Sequence, residues 1–407
     1  MKKDSSLNFY LLGTGSWFFA HGIQNVMFAW LVTMVLLESP RMIGIAQMSL
    51  LLPATLFMLV GGSVADMFGA KKVALAAQIV AVIPPVILSV TIATGALSFS
   101  SMISYAVSIG VIQAFVTPAR DGLLNMVANG NIQRTVFKVT LMQFTIQLFG
   151  FGIAGMADTL GAVIILLTQA FVIGIGAFGI SRIQIVSKRT SQTSKKNIGE
   201  LGVFVIEGFR TVWKSSPMRA VVIQNVAMGV CFMGTYIVTI PVLIREVFDG
   251  TSVDLSVVNM VNAFGLVLVI FGIMRLGGFQ RQGRALLISH GLGAIVLGVG
   301  GFDLPFWAFA VVIGSWGACG GIAVSMSRTI MQENAPEDQR GRVMGFFSFS
   351  FMGAGPIGAI LWGLVVDSYG PQFAIVCASV AMFSVAILGC FYSRLWESNS
   401  TELQLKA

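Results

Sequence analysis

Twelve separate stretches of this chain are each long and apolar enough to cross a lipid bilayer. A crossing helix needs about 20 predominantly apolar residues. Runs of that kind lie near 9–37, 42–64, 73–95, 98–118, 136–157, 160–180, 218–244, 253–274, 285–302, 304–327, 342–366 and 370–392. Inside lipid every backbone N–H and C=O must find a partner within the protein, which favours helices for spans of this length. The predicted fold is therefore an all-α membrane protein with twelve transmembrane helices. Only 10% of the 407 residues are charged, against roughly 25% in a soluble domain. The apolar run after Met1-Lys2-Lys3 is far longer than the core of a cleaved leader, roughly 7–15 residues, and is expected to stay as the first span. Pro84-Pro85, in the middle of the third run, predicts a kink.

Charge sets the expected orientation. With both termini cytoplasmic, Arg41 and Arg245 fall on the outer side and the other 23 of the 25 Lys and Arg fall inside. The acidic residues split 10 inside and seven outside. Basic residues in short loops mark the cytoplasmic face. The net charge of +8 is thus an orientation signal, not a sign of nucleic-acid binding. The four cysteines, Cys231, Cys319, Cys377 and Cys390, lie in apolar runs without metal-ligand spacing, and no disulfide framework follows.

The longest polar segment, 181–217, separates a first bundle, 1–180, from a second, 218–407, which ends in a short cytoplasmic tail. Ile198, Leu201, Val205, Phe209, Val212 and Trp213 keep near-helical spacing there. The segment reads either as a helix lying on the membrane or as a solvated linker. The two bundles repeat each other. Ile23-Gln24-Asn25-Val26 recurs 200 positions later as Ile223-Gln224-Asn225-Val226. Arg120 and Arg134 recur as Arg328 and Arg342, 208 positions on, and Gly69 with its following lysines recurs as Gly283-Arg284, 214 on. A duplicated six-helix unit is a common transporter design, with the substrate bound at mid-membrane between repeats.

Gly62-Ser63-Val64-Ala65-Asp66-Met67-Phe68-Gly69-Ala70-Lys71-Lys72 joins spans two and three. It resembles the inner-loop signature of the major facilitator superfamily, with Met67 and Ala70 in place of two expected bases. Thr117-Pro118-Ala119-Arg120-Asp121-Gly122 follows span four, and Ala335-Pro336-Glu337-Asp338-Gln339-Arg340-Gly341-Arg342-Val343-Met344 leads into span eleven. Together these are similar to the enterobactin-exporter and macrolide-efflux branch of that superfamily. Gly150-Phe151 stands where its antiporters carry Gly-Pro. The resemblance implies two pseudo-symmetric six-helix bundles with spans one, four, seven and ten around a central cavity. It also implies a cytoplasmic gate formed by Gly62, Asp66, Gly69, Lys71, Lys72, Arg120, Arg340 and Arg342. Asp66 is expected to pair with Arg342 at the start of span eleven.

Polar side chains within spans are costly and mark candidate sites. Trp17, His21, Gln24 and Phe28 share one face of the first span, beside Asn25. Gln113 lies in span four, Gln143 and Gln147 in span five, Gln224 and Asn225 in span seven, Asn259 and Asn262 in span eight, and Trp316 in span ten. Combined with the resemblance, they predict a substrate cavity rich in amides and aromatics and nearly uncharged, suited to neutral amphiphiles. Interhelical hydrogen bonding is the alternative role for any one amide. His21 reads either as a proton-exchanging group or as a neutral, hydrogen-bonded one. No nucleotide-binding loop, metal cluster or nucleophile–base pair is found, so neither an enzyme nor a cofactor is expected.

The resulting expectation is a monomeric secondary transporter of a bacterial inner membrane, exporting a small amphiphilic compound such as a drug-like molecule or a siderophore in exchange for protons. An importer or lipid flippase of the same fold, or a transport-inactive sensor or scaffold, are the alternatives.

Overall fold

In a computed structural model, residues 2–127, 132–184, 200–275, 279, 281–336 and 339–396 are described. Among them all regular structure is helical. Eleven helical stretches are long and apolar enough to cross a membrane, and Val139–Ala154 is a shorter apolar helix where the fifth span is expected. The chain divides into two compact units.

Unit 1 comprises Met1–Glu38, Ser49–Leu201 and Gly250–Val257. Its helices are α1 (Lys2–Trp30), most of α2 (Pro40–Phe68), α3 (Ala70–Val80), α4 (Ile83–Ala93), α5 (Phe99–Val127), α6 (Ile132–Ala154), the short α7 (Ala157–Leu160) and α8 (Ala162–Arg182). α1 is the central helix, packed on α6 and α8. Small residues permit this. A Cβ at Gly22 would lie 2.5 Å from the Gln147 carbonyl oxygen of α6, and one at Gly13 would lie 2.7 Å from Ile180 of α8. The third span breaks at Ala81–Val82, and Pro84 and Pro85 sit in the first turn of α4. Proline is tolerated there because first-turn N–H groups have no intrahelical partner. Pro118 lies inside α5, which continues to Val127.

Unit 2 comprises Ser39–Met48, Gly202–Asp249 and Val258–Ala407. It contains α9 (Glu200–Lys214) from its third residue, α10 (Ser216–Ala227), α11 (Ile240–Glu246), most of α12 (Ser252–Arg275), α13 (Gln282–Val299), α14 (Phe306–Asn334), α15 (Arg340–Met352), α16 (Gly355–Tyr369) and α17 (Pro371–Tyr392). Between α10 and α11 the chain winds as π-helix over Met228–Met233 and Thr235–Thr239. Side chains reach its carbonyls: Trp362 Nε1 donates to Val230 at 2.7 Å, and Gln47 Nε2 donates to Ile237 at 3.0 Å. A Cβ at Gly234 would meet the Gly358 backbone at 2.5 Å, so the π segment and α16 touch backbone to backbone. Of the linker, residues 185–199 lie outside the described residues. Its later part is helical as α9, where Phe209 stacks on Trp213 at 5.0 Å.

Both α2 and α12 are shared. The first residues of α2 belong to unit 2, and the first residues of α12 belong to unit 1. Within unit 1 the α12 start is held by Asp158, whose Oδ2 accepts the Ser252 N–H at 2.7 Å, while Ser252 Oγ donates to the Gly155 carbonyl at 2.9 Å.

Candidate functional site

The predicted polar residues separate into distinct environments. On α1, Phe18, His21 and Asn25 keep partial exposure, whereas Trp17, Gln24 and Phe28 are buried. The open face of α1 therefore runs through 18, 21 and 25, not through 17, 21, 24 and 28. Trp17 packs with Ala20, Ala81, Ile112, Val116 and Ile173 in the interior of unit 1. Phe28 stacks on Tyr105 at 6.2 Å. Both rings pack against α5 in the interior of unit 1, Trp17 on Ile112 and Val116 and Phe28 on Tyr105. Gln24 is buried with its Nε2 lacking a hydrogen-bond partner. Gln113, Gln143 and Gln147 are half-buried.

Arg120 is not a loop residue. It lies within α5, 7% exposed. Its guanidinium sits 4.5 Å above the Phe18 ring, and its Nε and Nη1 are buried without hydrogen-bond partners. Tyr10 Oη donates to the Arg120 carbonyl at 3.4 Å. The Phe18 face contributes about 0.5–2 kcal/mol of cation–π attraction. That alone does not offset the several kcal/mol that burying a cation costs; the exposed Asp121, next in the chain, also interacts with it electrostatically. Unit 1 thus carries a buried guanidinium beside the partly exposed face of α1.

In unit 2 the repeat-related pair Gln224 and Asn225 behave differently. Gln224 Nε2 donates to the Val385 carbonyl of α17 at 2.9 Å, and its Oε1 lies 3.0 Å from His290 Nδ1 of α13. A groove of about 350 Å³ between α10 and α17 opens beside it, lined also by Arg219, Ile223 and Tyr392. Both ends of its amide are engaged in packing α10 against α13 and α17. Asn225 is buried, and its Nδ2 has no partner.

The chemistry of unit 2 gathers instead around Trp316 on α14. Phe232 meets it edge to face at 5.3 Å, and Tyr236 lies 5.8 Å away. Tyr236 Oη donates to Asn259 Oδ1 of α12 at 2.7 Å. Asn262 Nδ2 donates to the Ile313 carbonyl at 3.2 Å, tying α12 to α14. Three rings and an amide form an amphipathic cluster. Phe232 and Tyr236 were missed by the sequence reading. A tyrosine deep in a span is the signal that could have found Tyr236. Nothing in the pattern distinguishes Phe232 from the other 30 phenylalanines. Both belong to the π segment, and π turns recur at functional sites.

The signature loop of unit 1 is a tight turn. Gly69 has φ +92°, a conformation favoured by glycine, and starts α3. Lys71 Nζ donates to the Ser181 and Ile183 carbonyls at 2.9 and 2.7 Å, capping the end of α8. Asp66 and Lys72 are exposed. Close helix packing falls to Gly61, where a Cβ would run into the Ala114 carbonyl of α5. At Gly62 the nearest atom would be 3.9 Å away. Arg342, expected opposite Asp66, forms an ion pair with Glu207 of α9. The side chain of Arg340 lies outside the described residues.

The four cysteines are free. Among the described residues no group of three or more His, Cys, Asp or Glu could hold a metal ion.

Known proteins fit this architecture. The chain is 24% identical to the multidrug efflux pump Tap of Mycolicibacterium fortuitum over 395 residues, 93% of each protein. Its structure resembles a POT family transporter in complex with 5-aminolevulinic acid, with a TM-score of 0.76 at 11% identity, covering 98% of this chain and 100% of the other. It also resembles the nucleoside transporter NupG, with a TM-score of 0.72 at 15% identity, covering 96% and 98%. The family model for transmembrane secretion effectors matches residues 11–406. The chain belongs to that family: it is a multi-pass membrane transporter of the major facilitator type, and not an enzyme.

Proposed function

We propose that this protein exports a small amphiphilic compound by alternating access, in exchange for protons. The observation that carries the reading is the pair of half-sites in helices one, seven, eight and ten of the fold. Phe18, His21 and Asn25 lie on unit 1, and Phe232, Tyr236, Trp316 and Asn259 on unit 2. Aromatic rings supply contact area for an apolar body, and a few polar groups orient its polar end. The efflux activity named for the relative from Mycolicibacterium fortuitum supports the outward direction. In this reading 1–180 and 218–392 rock about the central path, and both termini lie in the cytoplasm. Asp66 takes part in the gate on that side: Asp66→Asn is expected to slow transport without loss of expression. His21, on the open face of α1, is the candidate proton carrier.

The test is efflux of a panel of amphiphilic compounds from cells expressing the protein, with and without an uncoupler. Retention of at least one compound in cells lacking the protein, with loss of efflux on uncoupling, is the expected result. Uptake in place of efflux would select the importer, and no transport of any compound would overturn the proposal.

A further inference from the structure

We infer that unit 1 holds an anion-binding site at Arg120, so that the preferred substrates are amphiphilic acids. This deepens the efflux reading by naming its substrate class, and it rests on that reading for the identity of the ligand as substrate.

Three observations converge. First, the Arg120 guanidinium is buried on α5, with Nε and Nη1 both lacking acceptors. Neither ion pair found among the described residues includes it. Asp121, next in the chain, is exposed and interacts electrostatically with Arg120, yet Nε and Nη1 keep no hydrogen-bond acceptor. Second, the guanidinium lies over the Phe18 ring, and Phe18 packs edge to face with His21 at 6.4 Å. Both side chains are partly exposed. An acid arriving on the open face of α1 meets these rings first and reaches Arg120 when Phe18 turns aside. Third, Gln24 adds another unpartnered buried donor, Nε2, one turn along α1 from His21.

Guanidinium groups form strong charge-assisted hydrogen bonds with carboxylates, and the Nε and Nη1 donors of Arg120 are both unengaged here. Withdrawal from water strengthens such a pair, provided both charges are present. A neutral ester of the same shape would leave the cation as it is in the empty site. The site therefore discriminates by charge, while the aromatic rings accept the apolar body of either molecule.

The probes are N-dansylphenylalanine and its methyl ester, which share an aromatic body and differ in the carboxylate. Binding is followed by dansyl fluorescence on the purified full-length protein in phosphatidylcholine nanodiscs. The parent is expected to bind the acid about tenfold more tightly than the ester, a difference of about 1.4 kcal/mol. Arg120→Gln should lose this preference by weakening the acid alone, and Arg120→Lys should keep part of it. Equal affinity of the parent for acid and ester, or binding of neither, overturns the inference. So does a preference that survives in Arg120→Gln. If the glutamine variant does not fold, the parent ratio and the lysine variant still decide. Repeating the titration with phosphatidylglycerol added to the nanodiscs separates a lipid phosphate from a free acid. Acid binding unaffected by that lipid supports the substrate site, and its abolition shows that Arg120 serves a lipid headgroup and overturns the substrate assignment. Acid-selective binding without efflux from cells would defeat the transport reading alone. Efflux without acid selectivity would defeat this inference alone.

Discussion

Gln224→Ala should destabilise unit 2 and leave substrate affinity unchanged. Gln224 is 2% exposed and lies between α10, α13 and α17, bonded to the Val385 carbonyl and to His290. Alanine removes both bonds. An interhelical hydrogen bond in a membrane protein is worth about 0.6 kcal/mol on average, hence about 1 kcal/mol for the two. The larger effect falls on His290. It is fully buried, and its Nε2 already has no partner. Losing Gln224 leaves both ring nitrogens bare, and an unsatisfied buried group costs about 1–3 kcal/mol. The expected loss is about 2–4 kcal/mol. It can be read by thermal melting in detergent with a thiol-reactive fluorogenic dye, because Cys231 and Cys319 are buried in unit 2 and become reactive when it opens. Replacing both partners, as Gln224→Leu with His290→Phe, should recover much of the loss, since removing a whole polar pair can be nearly neutral. A Gln224→Ala protein that melts like the parent but binds substrate differently would refute the argument.

The remaining predictions are briefer. Gly61→Ala should cost about 1–3 kcal/mol by overpacking α2 against α5, while Gly62→Ala should be close to neutral, because the new methyl at 62 meets nothing nearer than 3.9 Å; melting temperatures compare the two. Trp316→Ala should weaken binding of an aromatic substrate at least tenfold, and Tyr236→Phe by a smaller factor through loss of the bond to Asn259, both measured by direct binding to purified protein. Reporter fusions at residues 190 and 400 should both read as cytoplasmic, and a periplasmic signal at either would break the twelve-helix arrangement.

The number and spacing of helices were legible in the sequence because lipid imposes one rule on each span separately: enough apolar length, with the backbone satisfied internally. That rule is local and needs no knowledge of neighbours. The tight turn at Gly69 and the break before Pro84-Pro85 were legible for the same reason, since glycine and proline restrict the chain at their own positions. Which face of a helix is open is a different kind of fact. In a soluble protein the polar face marks the outside, but in a bundle within lipid both lipid-facing and core-facing positions are apolar. Periodicity therefore could not separate Trp17, which packs in the core, from Phe18, which stays partly exposed. Gln24 and Gln224 occupy matching places in the repeat, yet one has an unpartnered amide nitrogen and the other is engaged by Val385 and His290. Arg120 reads as a loop residue after an apolar run and a proline, but α5 carries it inside. The sequence alone determined which stretches are long and apolar enough to span a bilayer. Packing between helices, set by close approaches such as Gly61 on Ala114 and Gly234 on Gly358, decided which of their side chains are buried and which stay open.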